Sequence, residues 1–192
     1  MKQFLESPNF LHTIVAEAEK NNDAARNLAS GLTEDQLNWK PAPERWSIAQ
    51  CLEHLAVTSS KFDPYFASVL AHPRKTKPIE SAVSYRSTLV GGWLIKQVMP
   101  GTKRKVPAPK VFRPSESSVI HGALESFLKQ QEKFLQFVRA TDGVDYNKTR
   151  LRSPGTQLMR YSLSDAFVVT VVHGQRHLGQ ARRVRETPGF PN

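Results

Sequence analysis

Apolar residues recur at steps of three and four in four stretches of this chain, and each stretch is bounded by residues that start or stop helices. Phe10, Leu11, Ile14, Ala18, Ala25 and Leu28 form the first stripe. Serine caps free N–H groups and proline suits the first helical position, so Ser7-Pro8 predicts a start and Gly31 a stop. The helix is expected from about Pro8 to Ser30. Pro41 and Pro43 make Thr33 to Arg45 a connector, with Trp39 as its apolar anchor. In WSIAQCLEHL, Ser47 and Gln50 have capping-box spacing, and Trp46 stands where it would pack on Cys51. The second helix is expected from Ser47 to about Leu70. It should kink or break at Asp63-Pro64, because an interior proline removes a hydrogen bond and crowds the preceding turn.

The third stripe holds Val119, Ile120, Ala123, Leu124, Phe127, Leu128, Phe134, Leu135 and Val138, with Ser115 as its candidate cap and Asp142-Gly143 as its end. The fourth opens on a second capping box, Ser162 with Asp165. It places Ala166, Val169, Thr170, His173, His177, Gln180 and Val184 on one face through to about Arg185. Between the second and third stripes, Ala71 to Arg113 is rich in proline and glycine, with a short helix expected at about Arg86 to Val98. Val144 to Tyr161 shows no helical period, and strand-like alternation is not evident anywhere. The pattern predicts an all-α protein: a four-helix bundle with a long crossover between helices 2 and 3, forming one domain over residues 1–192.

At 192 residues the chain can bury a sizeable core without disulfides, and its one cysteine, Cys51, excludes a cysteine-cluster metal site. Cys51 reads as a core residue. The most apolar run, Leu163 to Val172, is broken by Ser164 and Asp165 and is far short of the ~20 residues a membrane span needs. The start MKQFLESPNF has no apolar signal region, so a soluble cytoplasmic protein with no membrane partner is expected. The net charge of +10 is concentrated in the crossover at about 71–113, where ten basic residues face one acidic residue, Glu80. Such a segment suits an anionic partner, whether nucleic acid, membrane surface or acidic metabolite, or simply a solvated connection. A nucleic-acid-binding or stress-related interaction protein without catalysis is one reading of it. The chain carries no recognised reading helix, zinc finger or RNA-binding signature.

Candidate chemistry lies in the histidines. His173 and His177 are four apart, so on a helix they share a face with Cβ atoms about 5–6 Å apart. If helices 2 and 4 are neighbours, His54 faces both, and three imidazoles meet with coordination positions left for water or substrate. The alternative for His54 is an interior histidine hydrogen-bonded across the core. Gln50 and Gln180 lie one turn from these residues, placed either to orient a ring or to make ordinary interhelical hydrogen bonds. Glu53 points away from His54 around its helix. His12 and His121 read as surface or boundary residues.

The run WSIAQCLEHL, followed more than a hundred residues on by HGQRHLGQARR, resembles the DinB-like (DinB/YfiT-like) metalloenzyme superfamily. The resemblance spans nearly the whole chain. It implies a metal triad of His54, His173 and His177 holding zinc, nickel or another divalent ion. It also implies a small-molecule substrate, a low-molecular-weight thiol as possible cosubstrate, and a homodimer. Characterised members are thiol-dependent transferases or isomerases, and many others are described only as metal-dependent hydrolases. The expectation is therefore a metal-dependent enzyme that activates a thiol or water for S-transfer or hydrolysis. The basic crossover would favour an anionic substrate.

Overall fold

The computed structural model describes residues 2–5, 7, 9–73, 84–102, 110–115, 117 and 119–191. Its elements in chain order are α1 (Lys2–Leu5), α2 (Phe10–Ala29), α3 (Glu34–Asn38), α4 (Ile48–Ser60), α5 (Asp63–Ala71) and α6 (Leu89–Val98). A 3-10 turn at Lys110–Phe112 follows, then α7 (Ala123–Ala140), strands β1 (Arg150–Ser153) and β2 (Thr156–Ser162), and α8 (Leu163–Arg185).

Helices α2, α4, α7 and α8 form a four-helix bundle in which α4 packs on α7 and α8, and α2 packs on the same two. Helices α2 and α7 contribute the faces their stripes predict, with Ile14, Ala18 and Ala25 of the one and Phe134 and Val138 of the other all buried. Helix α4 buries Cys51 and His54 as well as Ile48 and Leu52, which its sequence reading did not single out. Helix α8 is the spine. Its residues Leu163 to Val169 are all buried, because α6 and the hairpin cover the side that the bundle leaves open. An aromatic stack, Phe66 on Phe137 with ring centroids 4.2 Å apart and Phe167 beside both, fills one end of the core. No helix among the described residues is long and apolar enough to cross a membrane.

Two capping boxes form where the sequence places them. Ser47 and Gln50 exchange both hydrogen bonds at the head of α4, and Ser162 and Asp165 do so at the head of α8. The break at Asp63-Pro64 also occurs: α4 stops at Ser60, and α5 restarts with proline in its first turn, where no donor is lost. Asp165 does more than cap. Its buried carboxylate also accepts from the Tyr85 hydroxyl, the Ser87 hydroxyl, and both the N–H and the hydroxyl of Thr88. A carboxylate is tolerated inside a core only when its lone pairs are used in this way. The stretch before α6 is thereby fastened to the spine, with Gly91 of α6 lying against the same carboxylate.

The structure corrects the sequence reading in four places. Helix α2 begins at Phe10 with Asn9 as its cap, whose side chain accepts from the His12 N–H at 3.1 Å; Pro8 lies outside the described residues. Helix α7 begins at Ala123 rather than near Ser115, and Ser115 instead donates from its N–H and hydroxyl to Glu53. The apolar Val119 and Ile120 extend the helical pattern, but Asn38 pairs with both backbone groups of Ile120 and holds it out of the helix. Gly122 then turns the chain with φ of 61°. The Thr33–Arg45 connector contains the short helix α3, closed by a third capping box of Thr33 with Gln36. Finally, residues 150–162, where no strand was expected, form an antiparallel hairpin pairing Leu151 with Tyr161. Of the charged residues in 71–113, Arg74, Lys75, Lys77, Glu80, Lys103, Arg104 and Lys105 lie outside the described residues.

Candidate metal centre

His54 lies two turns into α4, and His173 and His177 are one turn apart on α8, so contact between these helices brings all three rings together. Ring centroids are 5.1 Å apart for His54 and His173, 4.5 Å for His54 and His177, and 4.6 Å for His173 and His177. One ligand nitrogen from each falls within 4.8 Å of the others. The Nε2 atoms of His54 and His173 approach to 3.3 Å.

The ring nitrogens of His54 and the Nδ1 of His177 have definite situations. His54 Nδ1 faces the Phe112 carbonyl at 2.5 Å. A carbonyl only accepts, so Nδ1 carries the hydrogen and Nε2 keeps its lone pair toward His173. Among the described residues His177 Nδ1 is buried with no hydrogen-bond partner, an arrangement that ordinarily costs free energy. Trp46, expected to pack on Cys51, lays its indole 4.8 Å from the His54 ring and 5.6 Å from the His177 ring, forming an apolar wall.

The surroundings keep the rings neutral. Burial lowers the pKa of His54, partly offset by its bond to Phe112. His173 falls well below the ordinary histidine range, through burial first, then the two other histidines and Arg176. His177 is pushed down to about 3, mainly by burial and then by His54 and Arg176, with Gln180 acting in the opposite direction. Neutral imidazole is the form that binds a metal. Zinc–nitrogen bonds of ~2.0–2.1 Å put two shared nitrogens at most ~4.2 Å apart. The His54–His173 pair meets that limit as it stands, and small ring rotations bring in a set lying within 4.8 Å. The residues therefore fit a divalent ion, with the orphaned nitrogen of His177 as the plainest sign.

Other candidates sit elsewhere. Gln50 uses its amide oxygen to accept from the Ser47 N–H at 3.2 Å, whereas Gln180 lies against His177. Cys51 is fully buried, and burial pushes its thiol up to about 12, so it stays a neutral core side chain. Glu53 is engaged with Ser115, His121 pairs with Glu34, and His12 and His72 are exposed. Sequence reasoning missed three contributors. Trp46 was visible in the motif but given another role, and the Phe112 carbonyl has no residue-type signature at all. Arg176, between the two α8 histidines, donates to the carbonyls of Met99 and Thr102 just beyond α6.

A four-helix bundle with three histidines converging from two adjacent helices defines the class of protein. The model of the DinB superfamily matches residues 17–181, and the chain belongs to that superfamily. Among solved structures, it is similar to YfiT from Bacillus subtilis, described as a probable metal-dependent hydrolase with an unusual four-helix bundle topology. The match covers 94% of this chain and 88% of that one at 15% identity, with a TM-score of 0.58, and so concerns the fold. No curated protein matches the chain.

Proposed function

We propose that this chain is a metal-dependent enzyme whose divalent ion, zinc or nickel, is held by His54, His173 and His177. The observation carrying the reading is the convergence of three neutral imidazole rings, one with an orphaned buried nitrogen, at the contact of α4 and α8. A bound ion of this kind supplies Lewis acidity and lowers the pKa of a coordinated water or thiol. The protein's own groups do the rest. The three rings offer neutral donors, Trp46 excludes water from one side, and the charged groups acting on the histidines are arginines. With no carboxylate in that set, the centre favours an anionic ligand, such as a thiolate or a carboxylate-bearing thiol. The proposed reaction is transfer to or from a small thiol, or hydrolysis, of a small molecule.

Metal analysis of protein purified without a histidine tag tests the first half. One divalent ion per chain is expected, and its loss in His54→Ala and His173→Ala. Unchanged metal content in both variants would overturn the triad. Turnover of the metal-loaded protein over a panel of thiol acceptors and esters tests the second half.

A further inference from the structure

His54 is the one ligand of the three carried by α4, and what fixes its ring is a piece of chain far from it in sequence. Two groups approach its Nδ1: the Phe112 carbonyl at 2.5 Å and the Thr58 hydroxyl at 3.5 Å. They differ in what they can enforce. A hydroxyl both donates and accepts, so Thr58 tolerates either tautomer, whereas a carbonyl accepts only and demands hydrogen on Nδ1. The carbonyl alone therefore dedicates Nε2 as the lone pair.

The position of that carbonyl depends in turn on the hairpin. Phe112 rests its ring on the β1–β2 turn at Gly155. A Cβ added there would lie 2.8 Å from the ring Cε2 and 3.3 Å from Cζ. Gly155 does not have positive φ, so a side chain there is opposed by the Phe112 ring, which must shift to admit it, and not by backbone conformation. The hairpin runs without a break into α8, since Ser162 both ends β2 and caps the helix. The path from Gly155 through Phe112 to His54 thus ties the α4 ligand to the element that carries the other two.

We propose that Phe112 is a positioning residue of the metal centre, seated by the bare turn at Gly155 so that its carbonyl selects the metal-binding tautomer and orientation of His54. The inference rests on the three-histidine reading above and adds to it the segment that prepares one ligand. Outer-shell partners of ligating histidines change metal affinity by about 10–100-fold when disturbed. A side chain at position 155 is a disturbance of this kind, delivered through the Phe112 ring without touching a ligand or the carbonyl itself.

The test is a double-mutant cycle read by cobalt(II) affinity, measured by competition with a chelator on Gly155→Val, Phe112→Ala, the double variant and the original chain. Phe112→Ala keeps the carbonyl and removes the ring that valine would strike. Gly155→Val is expected to weaken cobalt binding at least ten-fold when Phe112 is present, and to have little effect once position 112 is alanine. Thermal unfolding of the metal-free forms separates a loss of affinity from a loss of fold. Equal cobalt affinity in Gly155→Val and the original chain overturns the inference, as does an equal loss in both backgrounds. Failure of the original chain to bind cobalt would instead remove the three-histidine reading itself.

Discussion

His177 shows most directly how a single residue's surroundings set its chemistry. It is buried, close to two other imidazoles and two arginines, and its proton affinity is lowered to a pKa of about 3. In the unfolded chain the same ring has a pKa near ~6.5. Above that pH it is neutral in both states and gives stability no slope. Below it, the unfolded chain takes up a proton that the folded one refuses, so stability falls as pH drops from ~6.5 toward 3, by up to about 1.4 kcal/mol per pH unit. Urea unfolding of the metal-free protein between pH 7.5 and 5 should show this loss, and His177→Gln should make it shallower; an unchanged slope would show that another group is responsible. The position of this histidine was legible because i,i+4 spacing needs only a helix. The second role of Trp46 was not, since the residue that packs on the cluster containing Cys51 is also the one that stacks on the rings, and only the approach of α8 adds the latter.

At the scale of elements, the contact between α6 and α8 turns on one absent side chain. A Cβ on Gly91 would lie 2.1 Å from Asp165 Oδ2, far inside any tolerable separation. Alanine is the better helix former by about 1 kcal/mol, but overpacking against a fixed group typically costs about 1–3 kcal/mol. Asp165 cannot step aside without releasing Tyr85, Ser87 and Thr88. Gly91→Ala should therefore destabilise the protein by about 1–3 kcal/mol despite its higher propensity, as measured by chemical denaturation. An increase in stability would show that α6 is free to shift. Helix starts were readable wherever the capping residue and the apolar stripe agreed, as at Ser47 and Ser162. At Ser115 they disagreed with distant partners: Glu53 captured the serine and Asn38 captured Ile120, both from other parts of the chain. The hairpin escaped notice because β1 is four residues long, with Leu151 as its sole buried hydrophobe, too short for period-two alternation to declare itself.

Across the whole molecule, the bundle follows from four stripes of suitable length. What the stripes leave open is which helices touch. The adjacency of α4 and α8 came within reach only through the histidines, because a buried polar residue needs a partner and the fourth stripe alone offered two histidines on one face. An ion bound by both helices in the folded chain and by neither when unfolded stabilises the fold by mass action. At free metal about 100-fold above its Kd this amounts to ~2.7 kcal/mol, or roughly 5–10 °C in Tm for a chain of this size. Addition of a strong chelator should lower Tm by about that much in the original protein and leave His54→Ala unmoved. A chelator response that persists in His54→Ala would place the stabilising ion elsewhere.

Two of the three clustered imidazole rings belong to α8, the last described helix in chain order, while the third is carried on α4, 119 positions before His173. A growing polypeptide that has made α2, α4 and α7 owns a single imidazole of the set and can grip nothing with it. On the three-histidine reading, metal loading awaits synthesis of the final helix, and a fragment stopped ahead of it is expected to bind a divalent ion far more weakly than the whole chain.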